Sequence, residues 1–308
     1  MKKMQYGKID LVKALDYAKR NFEIKGDTSK YGYRIEGKVP YENYMSNETW
    51  ASFLNEMPQP YRKQFEDADG GETKVRKNGR AGLCPPKMAS YGSSSRFIYQ
   101  YSKDIKGISF EKQLPTHVGP RPANLDGFLQ KDDIEKYVEA KCREIYGNHK
   151  EIEVSEAYKK VYDFIKNHSK FEYVDKKKTC KYRNHFRCTF KYKGQEIIHF
   201  DIKQLICHFL GITADILEHQ KQGISICFIY LIFNPHTETL FTGEIERFKD
   251  EIFKLYDDTI KEIQRFGDMK WLFETIMEYQ SEHLRLTKVD YSFDFKLVDQ
   301  NNYIAELK

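Results

Sequence analysis

Residues 123–142 read ANLDGFLQKDDIEKYVEAKC, and this stretch decides the fold. Its two halves, 123–130 and 136–142, carry the apolar and aromatic residues typical of strands. The polar KDDIE between them is a short connection of the kind that closes a hairpin. We therefore predict two antiparallel strands joined by a tight turn.

Three charged side chains of this hairpin are the main candidates for chemistry: Asp126, Glu139 and Lys141. Alternate residues of a strand share a face, so Glu139 and Lys141 project together. A two-residue loop at Asp132 and Asp133 places Asp126 opposite Glu139, whereas a four-residue loop places it opposite Lys141. Either loop puts all three on one face, and a bulge or an odd loop does not.

Such an arrangement would suit a divalent cation. Directly opposed strand residues have Cβ atoms roughly 4.5–5.5 Å apart, so two ionised carboxylates there repel each other. A cation between them reverses the sign of that interaction, and oxygen ligands favour Mg²⁺, with Mn²⁺ as a substitute. The predicted ligands are Asp126, Glu139 and the carbonyl of Ala140, with Lys141 holding the attacking water. The competing interpretation is a solvated Glu-x-Lys pair, which is common on strands.

The rest of the chain indicates a sheet covered by helices. Helices are predicted around 9–18, over 48–65 with an interruption near Pro58 and Pro60, over 93–102 behind an N-cap at Ser93, Ser94 or Ser95, and over 154–167, 201–219 and 244–280. Strands are predicted over 108–114 and 224–233, with a final strand pair over 285–296, and the Gly- and Pro-rich residues 69–92 are predicted as loops. The core order is helix, three strands, an interposed segment, helix, strand, which is an α/β or α+β pattern.

Composition excludes several classes of protein. The chain has 308 residues, of which 40% are hydrophobic and 31% charged, so it can bury a large core. The most apolar run, 224–233, has ten residues, whereas a membrane span needs about 20. No continuous apolar stretch follows the first lysines, so we expect a cytoplasmic protein without a membrane partner. The six scattered cysteines are expected to be reduced thiols.

A basic segment with interleaved aromatic residues, 171–193, is the candidate nucleic-acid contact. The predicted phosphate contacts are Lys176, Lys177, Lys178, Lys181, Arg183 and Arg187. One alternative is a solvated β-hairpin with a charged outer face, and another is an RNA-binding surface. A third is a zinc site formed by Cys180, His185 and Cys188, with His199 as the available fourth ligand.

Further candidates surround the hairpin. Glu72, which follows two glycines, and Glu111, on the predicted first strand, are additional acids that could serve either the site or the surface. On the predicted helix 201–219, one stripe contains Asp201, Gln204, His208 and Asp215. Gln204 on this stripe could orient water or phosphate, but it is also spaced from Asp201 as in a capping box. Both interpretations of Gln204 remain open from the sequence.

Taken together, these residues resemble the PD-(D/E)XK nuclease superfamily, whose core order is αβββαβ. The superfamily places an Asp at the end of one strand and Glu/Asp-x-Lys on the next, as Asp126 and 139–141 do here. The resemblance covers about residues 70–235. It is greatest to bacterial restriction-endonuclease-like proteins with GGE, SSSR and Gln-x-x-x-His stretches, which correspond to 70–72, 93–96 and 204–208. The proline usual immediately before the first Asp is absent, and the nearest is Pro122.

The resemblance implies a restriction-endonuclease-like core with a central mixed sheet flanked by helices. The implied domains are a helical N-terminal extension over 1–70, a nuclease core over 71–235 with a basic insertion at about 143–200, and a mainly helical C-terminal extension over 236–308. The implied activity is Mg²⁺-dependent hydrolysis of DNA, in restriction or phage defence, and a homodimer is plausible because duplex cleavage needs two sites. The alternatives are a repair or RNA-processing nuclease and a DNA-binding module with a decayed site.

Overall fold

The computed structural model describes residues 11–68, 72–78, 82–142, 151–176, 184–236 and 240–308. The helices are α1 (Leu11–Ile24), α2 (Asn47–Glu56), α3 (Gln59–Asp67), α4 (Ser94–Ser102), α5 (Lys159–His168), α6 (Ile202–Glu218), α7 (Lys249–Gln264), α8 (Lys270–Leu284) and α9 (Tyr303–Leu307). The strands are β1 (Tyr31–Tyr33), β2 (Tyr41–Met45), β3 (Arg76–Asn78), β4 (Gly82–Cys84), β5 (Ser109–Leu114), β6 (Ala123–Lys131), β7 (Ile134–Lys141), β8 (Ile152–Ser155), β9 (Phe171–Asp175), β10 (His185–Tyr192), β11 (Gln195–Glu196), β12 (Ile224–Ile232) and β13 (Tyr291–Asp299).

A five-stranded mixed sheet forms the centre of the fold, in the order β13-β12-β7-β6-β5. Strands β5, β6 and β7 form an antiparallel meander. Strand β12 then pairs parallel to β7, and β13 pairs parallel to β12. The predicted class, mixed α/β with a central mixed sheet flanked by helices, is confirmed.

The register of the β6–β7 hairpin is the one expected for a two-residue turn. Lys131 pairs with Ile134 and Gly127 with Val138, so Asp132 and Asp133 form the loop. Asp132 has a φ of 53°, the left-handed conformation that primed hairpin turns require. The two-residue alternative is therefore confirmed, and the four-residue loop is wrong.

Two hydrophobic clusters cover the two faces of the sheet. One contains α6 and alternate residues such as Tyr137 and Phe228, and the other contains α4 with Val138 and Ile229. The helix α6 lies so close to the sheet that a Cβ at Gly211 would come within 2.8 Å of the Cβ of Ala123. This close packing fixes which side chains of α6 reach the strands.

Several elements differ from the sequence prediction because pairing with distant segments decides them. Residues 152–155 pair with β10, so the helix predicted from 154 begins at Lys159. The predicted helix over 244–280 is two helices, divided at Met269, whose φ is 56°. Instead of a final strand pair there is one strand, β13, which pairs with β12. The predicted loop 69–92 contains the short antiparallel pair β3–β4.

The predicted ends of two helices are confirmed. The break at the two prolines separates α2 from α3, and Ser93 caps α4 by accepting a hydrogen bond from the Arg96 amide. The five cysteines among the described residues have free thiols. Of the helices in the described ranges, none has the length and apolar character that crossing a membrane requires.

Candidate active site

Three acidic residues lie at the same level of three neighbouring strands. Continuation of the β5–β6 register places Glu111 opposite Asp126, and continuation of the β6–β7 register places Asp126 opposite Glu139. We call these three residues the acid row. The sequence predicted Asp126 opposite Glu139, and the structure adds Glu111 on the other side of Asp126.

The strand backbone is irregular at the acid row. Glu111 has a φ of 55°, a conformation that costs a non-glycine residue about 1–2 kcal/mol. Residues four apart in a regular strand point to the same face of the sheet. In β6, however, Leu125 packs on the α6 side and Leu129 on the α4 side, so the regular alternation of side chains is interrupted between them. The Oδ2 of Asp126 accepts a hydrogen bond of 2.8 Å from the backbone N–H of Ala140. Irregularities of this kind re-aim side chains beside active sites.

Glu139 is the most enclosed member of the row, with 2% of its surface exposed. Its Oε1 accepts hydrogen bonds from Nζ of Lys141 and, at 2.7 Å, from Nε2 of Gln204. Its Oε2 lies 3.0 Å from Nε2 of the buried His208 ring, and among the described residues Nδ1 of that ring has no hydrogen-bond partner. Burial opposes ionisation of Glu139, but the Lys141 ammonium and the neighbouring His208 outweigh the effect of burial and lower the pKa of Glu139 to about 2. The carboxylate is therefore ionised at neutral pH.

The side chain of Gln204 joins Lys141 to Glu139. Its Oε1 accepts a 2.7 Å hydrogen bond from Nζ of Lys141, while its Nε2 donates to Glu139. Asp201 is the N-cap of α6 and accepts from the backbone N–H of Gln204 at 3.0 Å. The capping prediction is thus correct for Asp201, but the Gln204 side chain points into the site and not back to the cap. Gln204 fixes the position of the ammonium.

The other acids repel one another. Burial, followed by the charges of Glu139 and Glu111, raises the pKa of Asp126 well above its usual value. Burial and the charge of Glu72 raise the pKa of Glu111 to about 7. The Oε1 of Glu72 forms a 2.7 Å ion pair with Lys87. In the absence of a cation, Asp126 and Glu111 therefore favour their protonated forms, and a bound cation would favour their ionisation.

Hydrogen bonds hold Glu111 in place. Its Oε1 accepts from the Ser95 hydroxyl at 2.8 Å, and its Oε2 accepts from the Asn124 amide at 2.7 Å. Ser95 lies on α4 and Asn124 on β6, so this carboxyl group is fixed from two sides. The six predicted catalytic residues, Asp126, Glu139, Lys141, Glu111, Glu72 and Gln204, therefore form one connected set of contacts and charges.

The donor set is compatible with a hard cation that keeps most of its water. Within the described ranges, no group of three or more His, Cys, Asp or Glu side chains is arranged to hold a metal ion. Mg²⁺, however, commonly binds through one or two carboxylates and waters. The buried Oε2 of Glu139 lies 3.0 Å from Nε2 of His208 but outside hydrogen-bond geometry, so a second ligand would replace the water that this oxygen lost on burial. A cation held by Glu139 and Asp126 would satisfy that oxygen and relieve the repulsion along the row.

The predicted phosphate-binding segment is only partly described. Lys177, Lys178, Lys181 and Arg183 lie outside the described residues, as does Cys180 of the zinc alternative. Lys176 continues the β9–β10 pairing through its backbone N–H. The Arg187 guanidinium lies 3.6 Å from Glu151 and 3.9 Å from Glu153, so acidic neighbours balance its charge.

His208 is the residue whose importance the sequence did not reveal. It shares the α6 stripe with Gln204, but the spacing alone gave it no partner. The close contact between α6 and the sheet brings its ring to Glu139. Asp215, on the same stripe, instead pairs with Lys221 at 2.7 Å, away from this carboxylate.

Comparison with known proteins leaves the site to be interpreted from its own chemistry. No protein-family model, curated protein or solved structure matches the chain.

Proposed function

We propose that this chain is a magnesium-dependent nuclease with a restriction-endonuclease-like core that hydrolyses phosphodiester bonds of DNA. The observation that carries the proposal is the buried Glu139 carboxylate, which accepts a hydrogen bond from Lys141 and lies opposite Asp126 in the continued β6–β7 register. Two acids at neighbouring positions of adjacent strands and an ammonium bonded to one of them are the groups that phosphodiester hydrolysis with Mg²⁺ or Mn²⁺ requires.

The order of elements supports the same proposal. Helix α4 precedes the meander β5–β6–β7, and α6 leads to β12, which returns parallel to β7. This is the αβββαβ order of the nuclease superfamily that the motif resembles. A role in restriction or phage defence, and a homodimer that would supply the second site for duplex cleavage, are extensions of that resemblance.

Each residue has a distinct part in the proposed reaction. Asp126 and Glu139 would hold the ion, which supplies Lewis-acid activation of the phosphate and of water when bound. The ammonium of Lys141 orients the attacking water and stabilises the negative charge that develops on the phosphate. Gln204 keeps that ammonium in place through its 2.7 Å hydrogen bond. Glu111 lies opposite Asp126 in the continued register, and a bound cation would favour its ionised form and gain its charge.

Cleavage of supercoiled plasmid DNA tests the proposal. We expect nicked and linear products with Mg²⁺, none with EDTA, and none from Asp126→Asn or Lys141→Ala. Asp294→Asn is the matched control, because this acid is exposed on β13 and should be dispensable. DNA binding without cleavage by the unsubstituted chain would favour the binding module with a decayed site, and selective cleavage of RNA would favour the RNA-processing alternative.

A further inference from the structure

A basic and apolar surface lies beside the acid row. It comprises the exposed loop between β1 and β2 and the β3–β4 hairpin, which touch where Nζ of Lys38 donates a 2.6 Å hydrogen bond to the carbonyl of Leu83. The members of this surface, called the wing, are Lys38, Val39, Lys74, Val75, Arg76, Lys77 and Leu83. None of them was singled out by the sequence motifs.

The wing concentrates exposed apolar side chains. Val39 is 77% exposed, Leu83 49% and Val75 46%. These are three of the five large hydrophobic residues that are exposed among the described residues. Single exposed apolar residues need no explanation, but a cluster bordered by polar groups is typical of a binding surface.

The wing also concentrates positive charge. The wing contains four basic residues, Lys38, Lys74, Arg76 and Lys77, and no acidic residue, in a chain whose net charge is only +5, and one acidic residue, Glu72, lies just before its segment 74–77. This acid is already paired with Lys87. Among the ion pairs of the described residues, none involves Lys74, Arg76 or Lys77. In this respect the wing differs from Arg187, whose charge Glu151 and Glu153 balance.

The base of the wing lies next to the acid row. The backbone N–H of Met88 donates to the carbonyl of Glu72 at 3.0 Å, which joins the two ends of the hairpin segment. The one-turn helix Lys87–Ala89 packs against α4, and Ser95 of α4 donates a hydrogen bond to Glu111; the charges of Glu72 and Lys87 also act on Glu111. At about 3.4 Å per residue, Lys77 lies at most about 17 Å along the chain from Glu72. That length corresponds to about five base pairs of duplex at 3.4 Å each.

We propose that the wing binds the phosphodiester backbone of duplex DNA next to the position of cleavage. Lys74, Arg76 and Lys77 would neutralise phosphates, and the apolar side chains of Val75 and Leu83 would contact the sugars. The proposal rests on the proposed nuclease function, because that function places DNA at the acid row, from which it would continue along the wing. The charge itself selects a polyanion, and the proximity to a phosphodiesterase site selects DNA over an acidic protein.

The test is DNA binding measured by fluorescence anisotropy, in EDTA, with a labelled duplex of about 20 base pairs, two helical turns. The wing variant is Lys74→Gln/Arg76→Gln/Lys77→Gln. The matched control is Lys254→Gln/Lys261→Gln/Lys270→Gln, which removes the same charge from exposed positions of α7 and α8. Circular dichroism establishes that both variants are folded.

Three phosphate contacts change the slope of log affinity against log salt by about 2.7. The ratio of wild-type to wing-variant affinity should therefore fall about 40-fold between about 50 and 200 mM salt, while the control variant matches wild type. Equal affinities and slopes for the two variants would overturn the proposal, as would absence of duplex binding by wild type or a preference for single-stranded RNA or an acidic protein. Because binding is measured without metal, a failure of the nuclease proposal would appear as missing cleavage with the wing effect intact.

Discussion

Removal of the Lys141 ammonium is expected to destabilise the protein strongly, because it leaves the Glu139 carboxylate buried without its main counter-charge. The two side chains are 6% and 3% exposed, and breaking a buried pair by removing one partner costs about 3–5 kcal/mol. The lowered pKa of Glu139 gives a similar free energy. A fall in its pKa from 4.5 to about 2, at about 1.4 kcal/mol per tenfold change in affinity, favours folding by about 3 kcal/mol at neutral pH.

Urea unfolding at neutral pH in EDTA measures this effect in Lys141→Met, Glu139→Gln and the double variant. We expect Lys141→Met to lose about 3–5 kcal/mol of the free energy of unfolding. The double variant should lose less than the sum of the single losses, because it leaves no unpaired charge. Since the pKa of Glu139 is lowered, its contribution is present above about pH 4.5 and is lost as the pH falls toward 2. The deficit of Lys141→Met should shrink over the same range.

An exposed ion pair provides the comparison. Lys270 and Glu274 are 3.7 Å apart and about half exposed, at 53% and 52%, so Lys270→Met should cost less than about 1 kcal/mol. If Lys141→Met costs no more than this control, or if its effect simply adds to that of Glu139→Gln, the reasoning about a buried ion pair is refuted.

Three other outcomes follow from the acids and their partners. Burial and Glu72 raise the pKa of Glu111 to about 7, so its contribution to stability is full below about pH 4.5 and is lost as the pH rises through 7. Glu111→Gln should remove this dependence and add roughly 3 kcal/mol at pH 8 in urea unfolding, whereas an unchanged pH profile would count against the shift. Asp126→Asn should raise the melting temperature in EDTA at neutral pH, because burial and Glu139 disfavour the charged form of Asp126. The amide oxygen of the variant can still accept the hydrogen bond from Ala140. A lower melting temperature would show that the carboxylate stabilises the fold. Glu262 accepts hydrogen bonds from three successive backbone N–H groups just before α6, at 2.8–3.1 Å. Glu262→Gln should therefore lower the free energy of unfolding by about 3 kcal/mol. A loss below about 1 kcal/mol in urea unfolding would mean that those N–H groups bind water instead.

The sequence predicted the parts of the site that depend on neighbours in the chain. Asp126 and Glu139 were placed together because the turn at Asp132 and Asp133 fixes the register of one hairpin. Glu139 and Lys141 share a face because they are two residues apart on one strand. The change in side-chain alternation along β6 near Asp126 was not predicted. The Asp126 side chain accepts a hydrogen bond from the backbone N–H of Ala140 there, and no sequence pattern indicates that bond.

The parts that depend on distant segments were not predicted. His208 reaches Glu139 only because α6 crosses the sheet in close contact at Gly211. The balance of charge at Arg187 depends on acids at 151 and 153, which β8 brings alongside β10. The pairing of β13 with β12 joins segments more than fifty residues apart, and no local pattern specifies such a partner. For the same reason, the wing was not recognised in a Gly- and Pro-rich stretch that reads as loop.

Binding of Mn²⁺ to the whole chain tests the metal site at Asp126 and Glu139 most directly. It is measured by the electron paramagnetic resonance signal of the free ion. We predict that wild type takes up Mn²⁺ and that Mg²⁺ competes for the same site. Asp126→Asn and Glu139→Gln should lose this uptake, whereas Asp294→Asn should keep it. Equal uptake by wild type and Asp126→Asn, or no uptake by wild type, would contradict the account.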